Sequence, residues 1–355
     1  MIQLSFEQLC SGLEKGEGYL FISPANRKYL TDFDSSDGFL LITQSKSVFL
    51  TDSRYIEAAR DRIKLCDEVL LLKKASEQLP GLIKELGVSV VYTEESNISV
   101  AEFRRVEKYA GCEVRAEKAE DAVNALRRVK QEYEKARIIK AQRIAEAAFR
   151  HILGFIKPGV TETDIRLELE FYMLKHGAQG LSFDTIALTG RKTSMPHGVP
   201  GGEKVKSGDF VTMDYGALVD GYHSDMTRTV AVGSVSDRQA KVYETVLEAQ
   251  LSSLAVYAPG VSCKEADGAA RSVIEKAGYG DYFGHGTGHG VGVEIHEAPA
   301  VSPRSAETLC PGDVVTCEPG IYIPGEFGVR IEDMVYINST GSDNLTECEK
   351  SLIVL

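Results

Sequence analysis

The chain has 355 residues, 43% hydrophobic and 26% charged, with a formal net charge of −12. These are the proportions of a globular protein with an ordinary core, and the length suits two domains. The acidic balance excludes a general nucleic-acid binder, and no apolar stretch approaches the roughly 20 residues of a membrane helix. The opening run MIQLSFEQLCSGLEKGEG lacks the basic start and apolar segment of a secretory signal. Seven scattered cysteines with no C-x-x-C pair fit a reduced, cytoplasmic protein.

In chain order, YLFIS (19–23) reads as a short strand, and GFLLIT with SVFLTD (38–52) as a hairpin. RYIEAARDRI (54–63) has helical character, and VSVVYT (88–93) is another strand. Ser99 and Glu102 form a capping-box pattern that opens a helix over SVAEFRRVEKYA, and CEVRA (112–116) closes the unit as a last strand. From Leu126 a long amphipathic helix is predicted: Val129, Tyr133, Ala136, Ile139, Ala148, Ile152 and Phe155 recur mostly at three- and four-residue steps. Lys157-Pro158-Gly159 is its predicted stop. The boundary is placed before this helix, giving an α/β domain over 1–124 and a second domain over 125–355.

The second domain carries an internal echo. KPGVTETDI at Lys157 matches APGVSCKEA at Ala258, with Pro158 and Pro259 offset by 101 positions. Gly177 and Gly278 are also 101 apart, and GDFVTMD at Gly208 matches GDVVTCE at Gly312 at an offset of 104. Each half reads as helix, Pro-Gly stop, capped second helix ending in Gly, then a Gly-Asp turn into a strand. Two similar α/β halves are the simplest reading.

Each half also carries two acids on a candidate hairpin: Asp214 and Asp225 in one, Glu318 and Glu332 in the other. Pairs on neighbouring strands can face one side. Apolar neighbours such as Met213, Cys317 and Ile331 suggest buried strands. Four buried carboxylates need compensation, and cations among them would supply it. Oxygen-rich sites suit Mg²⁺ or Mn²⁺, imidazole suits Zn²⁺, Co²⁺ or Fe²⁺, and four acids with one or two histidines could hold two divalent ions.

Candidate imidazoles lie in FGHGTGHGVGVEIHEAP (283–299), which holds His285, His289 and His296. The alternating glycines argue against a helix there. In an extended chain 285 and 289 share a face while 296 lies on the other, so local spacing does not bring three ligands to one ion. H-E-x-x-H fails because Ala300 stands at the second histidine position, and the glycines do not match G-x-G-x-x-G. The glycines would let backbone and substrate come close. His197, in a Pro-Gly loop upstream of the first acid strand, is a candidate substrate-binding residue.

MDYGALVDGYHSDMTRT, FGHGTGHGVGVEIHE, CEPGIY and GVRIEDM resemble the metallopeptidase family of Xaa-Pro aminopeptidase, prolidase and methionine aminopeptidase. NRKYLTDF and LTDSRYIEAA resemble the creatinase-type domain found ahead of the catalytic domain in Xaa-Pro aminopeptidases and prolidases. The resemblance covers nearly the whole chain. It implies an α/β (α+β) fold, with a creatinase-like N-terminal domain and a C-terminal pita-bread domain of two pseudo-symmetric halves. It implies Asp214, Asp225, His289, Glu318 and Glu332 as ligands of two divalent ions. Asp225 and Glu332 would bridge them, Asp214 would complete one ion, and His289 with Glu318 the other. The family's usual metals are Mn²⁺ or Co²⁺, with Zn²⁺ or Fe²⁺ as alternatives. His197, His285 and His296 would hold substrate and stabilise the tetrahedral intermediate, Glu318 would act as general base, and Tyr322 and Arg330 would stand behind the ligands. The implied partners are peptides with proline at the second position, and a second copy in a homodimer. The leading expectation is an Xaa-Pro aminopeptidase; the alternative is prolidase, restricted to dipeptides. A creatinase-like amidinohydrolase and a non-catalytic peptide-binding relative are more remote, because such relatives lack the full ligand set. Methionine aminopeptidase lacks the creatinase-type domain. His223 is assigned no role.

Overall fold

The computed structural model describes residues 2–355, with side chains from Phe6 onward. The chain divides into two compact units, one ending at Arg127 and one running from Arg128 to Leu355.

In the first unit, strands β1 (Glu17–Phe21), β2 (Phe39–Thr43), β3 (Ser47–Thr51), β4 (Glu68–Leu71), β5 (Val90–Thr93) and β6 (Glu113–Ala116) form one sheet in the order β4-β3-β2-β1-β5-β6. The β2–β3 hairpin is antiparallel, whereas β1 pairs β5 and β5 pairs β6 in parallel. Helices α1 (Ile2–Ser11), α2 (Pro24–Thr31), α3 (Ile56–Arg62), α4 (Ala75–Glu85), α5 (Val100–Ala110) and α6 (Ala119–Arg128) accompany it. Ser99 and Glu102 make the reciprocal capping box, and Gly111 in the left-handed region ends α5. Leu20, Leu41, Val48, Leu79, Ile83 and Val91 are core residues of this unit. Each such side chain contributes about 1.5–3 kcal/mol on burial. Helices α1, α2 and α4 and strand β4 have no counterpart in the sequence reading.

The predicted long helix is two helices. α6 stops at Arg128 and α7 runs Glu132–Ile152. The break has local and distant causes. Gln131 and Glu134 form a reciprocal cap that starts α7, and the Lys130 N–H donates to the carbonyl of Gly312 at 3.0 Å. The far end also differs: α7 stops at Ile152, and turns carry the chain to Pro158.

The echo in the second unit is a structural repeat. α8 (Glu162–Lys175) is capped by Thr161, and α10 (Cys263–Lys276) by Ser262. Thr161 bridges Lys204, and Ser262 bridges Thr308. Gly208 and Gly312, at the matched Gly-Asp turns, have φ of +94° and +99°. A left-handed backbone there requires glycine in both halves. α9 (Asp237–Leu254) links the halves and packs on α10.

In the first half, β7 (Gly180–Leu181), β8 (Ile186–Thr189), β9 (Phe210–Tyr215), β10 (Ala217–Val219), β11 (Tyr222–His223) and β12 (Met226–Ala231) form two three-stranded sheets, β12-β9-β8 and β11-β10-β7. In the second, β13 (Gly288–Gly290), β14 (Glu297–Val301), β15 (Val314–Cys317), β18 (Asp333–Ile337) and β19 (Ser342–Asn344) form the sheet β14-β13-β15-β18-β19. β16 (Gly320–Ile323) and β17 (Phe327–Arg330) form a separate hairpin, with β17 packed against β9 and β12 of the first half. Ile152, Ile165, Leu169, Met213 and Val230 belong to one core, and Val246, Ile274, Ile321, Val329 and Ile331 to another. No helix among the described residues is long and apolar enough to cross a membrane.

Candidate metal centre

The four acids stand where strand pairing begins or ends. In the first half β9 and β12 run antiparallel with Asp214 opposite Thr227, and Asp225 immediately precedes β12. In the second, the β15–β18 ladder ends at Cys317 opposite Asp333, so Glu318 and Glu332 are the next residues outward on neighbouring chains. The halves are joined between these points. The Glu332 N–H donates to Thr227 O at 3.1 Å, and the Thr227 hydroxyl donates to Glu332 Oε2 at 2.7 Å. Thr229 donates its hydroxyl to Arg330 O at 3.1 Å. Asp214, Asp225, Glu318 and Glu332 thereby line one cavity of about 890 Å³, together with His197, His285, His289, His296 and Arg330.

Within it Asp225, His289 and Glu332 are the tightest group, each with one ligand-type atom within 4.8 Å of the others. His289 Nε2 lies 3.6 Å from Asp225 Oδ2 and 3.4 Å from Glu318 Oε1. Asp214 stands outside this trio and accepts from Arg330 through Oδ2. Asp214 Oδ1, Asp225 Oδ1 and Glu332 Oε1 are buried with no hydrogen-bond partner. Orphaned buried carboxylate oxygens are costly, and three around one point is the pattern that cations relieve. The electrostatics agree. Burial, and then the neighbouring carboxylates Glu332, Asp214 and Glu318, push Asp225 well above the usual carboxylate range. Burial, then Glu318 and Asp214, do the same to Glu332, against the opposing pull of Arg330. Burial pushes Glu318 up to about 8. Anionic oxygens plus one imidazole fit divalent ions of the Mn²⁺, Co²⁺, Zn²⁺ or Fe²⁺ kind.

The histidines divide by their hydrogen bonds. His289 Nδ1 faces the carbonyl of Gly290 at 3.0 Å. That carbonyl can only accept, so the proton sits on Nδ1 and the Nε2 lone pair faces the acids, as a metal ligand requires. His285 Nδ1 likewise faces Gly286 O at 2.8 Å, and its Nε2 meets Tyr322 OH at 3.0 Å. Tyr322 in turn accepts from Arg330 at 2.9 Å. A chain runs from Asp214 through Arg330 and Tyr322 to His285, whose pKa burial lowers to about 4. His296 packs edge-on against His289 at a ring distance of 4.4 Å, and its own pKa is lowered by burial and then by His289. His197 is exposed at the cavity wall.

Two sequence expectations are corrected here. His296 is not turned away from His289. The register of β13 against β14 shifts between His289 and Gly290, and the intervening loop returns His296 to the same side, so strand parity does not apply. Gly286, Gly288 and Gly290 of this run serve backbone-to-backbone approach. A Cβ on Gly288 would lie 2.1 Å from Thr316 O, and one on Gly290 2.3 Å from Ala298 O.

The sequence reading did not single out Thr227, which accepts from Arg330 Nε at 3.0 Å while donating to Glu332. Nor did it single out Thr316, whose hydroxyl accepts from the His289 N–H at 3.1 Å and meets Glu318 Oε1 at 3.3 Å. A threonine two residues from a ligand on an apolar strand was the available signal for both. Arg166 and the apolar wall of Phe183, Ile186, Val199 and Ile295 carried no such signal.

Residues 136–339 match the model of metallopeptidase family M24, and residues 14–129 that of the creatinase/prolidase N-terminal domain. An Xaa-Pro dipeptidase of Pyrococcus horikoshii is 39% identical over 319 residues, spanning 89% of this chain and 88% of the relative. Among solved structures, an Xaa-Pro dipeptidase from Bacillus anthracis is similar with a TM-score of 0.96 and 39% identity over 100% of both chains. An X-Pro aminopeptidase from Thermotoga maritima MSB8 is similar with a TM-score of 0.89 and 35% identity, over 98% of this chain and 99% of that one.

Proposed function

From the premise that the chain belongs to metallopeptidase family M24, with a creatinase/prolidase N-terminal domain, we propose that it is an Xaa-Pro dipeptidase of the prolidase type. The motifs alone put the aminopeptidase first. The dipeptidases of P. horikoshii and B. anthracis, each 39% identical, support the dipeptidase over the 35% identical aminopeptidase. The observation that carries the hydrolytic reading is the set of partnerless buried oxygens on Asp214, Asp225 and Glu332 beside the Nε2 of His289.

The residues that would hold two divalent ions are Asp214, Asp225, His289, Glu318 and Glu332, with Mn²⁺ or Co²⁺ as the first choice. When bound, such ions supply Lewis acidity toward a peptide carbonyl and lower the pKa of a nearby water. The chain does the rest. Arg330 and Thr227 hold Asp214 and Glu332 in place through their hydrogen bonds. Glu318 Oε1 accepts the proton of the attacking water and returns it to the departing proline nitrogen, a tertiary amide with no N–H of its own. His296 and His197 supply N–H donors at the cavity wall, where charge develops on the carbonyl oxygen. His285 acts through Tyr322. Phe183, Ile186, Val199 and Ile295 offer apolar surface for a pyrrolidine ring. We also propose a cytoplasmic location, supported by seven free cysteines, and a homodimer, supported by the resemblance alone.

The test is to load the protein with Mn²⁺ or Co²⁺ and compare Xaa-Pro dipeptides with Xaa-Pro-Xaa tripeptides. Faster dipeptide cleavage is expected. A clear preference for tripeptides would replace the reading with the aminopeptidase, and cleavage of neither with metal bound would overturn both.

A further inference from the structure

We propose that Arg166 is the specificity residue for the free C-terminal carboxylate of the substrate; the inference rests on the dipeptidase reading above. An Xaa-Pro dipeptide carries a full negative charge one residue beyond the bond to be cut. That charge must enter a cavity already lined by five carboxylates, and it needs a cation on the wall.

Two arginines line the cavity. Arg330 is committed. Its Nε donates to Thr227 at 3.0 Å, one terminal nitrogen donates to Tyr322 at 2.9 Å, and the other to Asp214. Arg166 is held only weakly. Its one protein hydrogen bond among the described residues is to Glu170 Oε1 at 3.5 Å, one turn along α8, and its side chain is 37% exposed. Most of its five N–H donors therefore face the cavity mouth or solvent. A planar guanidinium offers a carboxylate two parallel hydrogen bonds, which neither His197 nor His296 can do. Asp184, which also lines the cavity, has the wrong sign.

α8 gives this arginine a firm base. Glu162, buried at its first turn, accepts from the Thr189 N–H at 2.9 Å, from the Gly201 N–H at 2.9 Å and from Lys192 at 2.6 Å. The helix is thereby tied to the end of β8 and to the loop that follows His197. On the adjoining flank Ile165 and Leu169 are fully buried in the core. Arg166 thus projects from a fixed helix into the wall of the cavity that also holds Val199 and Pro200.

The test compares an Xaa-Pro dipeptide with its C-terminal amide, using Mn²⁺-loaded wild type, R166Q and R166K. The readout is the ratio of kcat/KM for acid over amide. R166Q is expected to lower that ratio about tenfold, mainly through KM for the acid, and R166K, which keeps the charge but not the paired hydrogen bonds, to restore only part of it. A structural disturbance would move acid and amide together. Inhibition by free proline, compared with prolinamide, should weaken in R166Q by a similar factor. An unchanged ratio in R166Q, with the wild type active on dipeptides, overturns the assignment of Arg166 and leaves the dipeptidase reading standing. A wild type that cleaves neither acid nor amide with metal bound overturns the dipeptidase reading, and the role of Arg166 with it.

Discussion

Replacing Lys130 by methionine should destabilise the catalytic unit and slow it, although Lys130 lies outside the cavity wall. Its Nζ sits 2.9 Å from Glu297 Oε2, with side chains only 1% and 5% exposed. The other oxygen of Glu297 accepts from the Glu294 N–H at 3.1 Å. The carboxylate occupies the space a Cβ on Gly292 would need, 2.4 Å from that position. The pair thus clamps the loop that carries His296. Methionine keeps the length and most of the volume of lysine, so little cavity is made. It leaves a buried carboxylate without that cation, a change that costs about 3–5 kcal/mol. The K130M/E297Q double variant removes both charges and should recover most of the loss, giving a coupling of about 2–4 kcal/mol. Denaturation followed by far-UV circular dichroism suits a chain without tryptophan, with kcat measured beside it. A loss below about 1 kcal/mol in K130M, or a double variant no more stable than the single, would refute the clamp.

Two further outcomes are expected. Glu332→Ala should lose divalent-cation binding, read by calorimetry, together with activity, whereas His296→Ala should keep the cations and lose rate; release of the cations by the second variant would reverse the division of the histidines. Glu134→Gln should change the pH dependence of stability. Burial pushes Glu134 up to about 7, against hydrogen bonds from Gln131 N–H and Tyr222 OH, so the folded protein binds a proton that the unfolded chain, near 4.5, releases. Its contribution is complete below about pH 4.5 and is lost as pH rises through about 7. The wild type should therefore lose up to about 3 kcal/mol more than the variant between those limits, and parallel stability profiles would contradict this.

What the sequence disclosed was what depends on near neighbours. Ser99 with Glu102 announces a helix start because a capping box spans only four residues, and the paired Gly-Asp turns announce the repeat because left-handed backbone strongly favours glycine. The four acids are legible as pairs on two repeated hairpins, and the resemblance adds His289 as the fifth candidate ligand. What escaped was set at a distance. The break at Lys130 depends on Gly312 and Glu297, which no window around residue 130 contains. Strand parity puts His296 on the face opposite His289, but the bends over 292–296 and the register shift between His289 and Gly290 break the two-residue period. Arg166 was invisible because α8 carries apolar residues on both faces, with Ile165 and Leu169 buried and Leu167 and Phe171 exposed, so no amphipathic pattern marked which side met the cavity.

The repeat also bears on why the acids can be buried at all. Each half brings two carboxylates to the end of its own strands, where in isolation water would solvate them. At the junction Thr227, Thr229, Arg330 and Glu332 exchange hydrogen bonds across the two halves, around the buried acids. Joining the halves therefore concentrates negative charge, and by itself it opposes closure. Cations held by Asp225, His289 and Glu332 would reverse that sign, so their binding energy and the docking of the halves draw on the same free energy. On this argument the hydroxyl of Thr227 is more than a prop for Glu332. It stands at the seam between the halves, donating to Glu332 while accepting from Arg330.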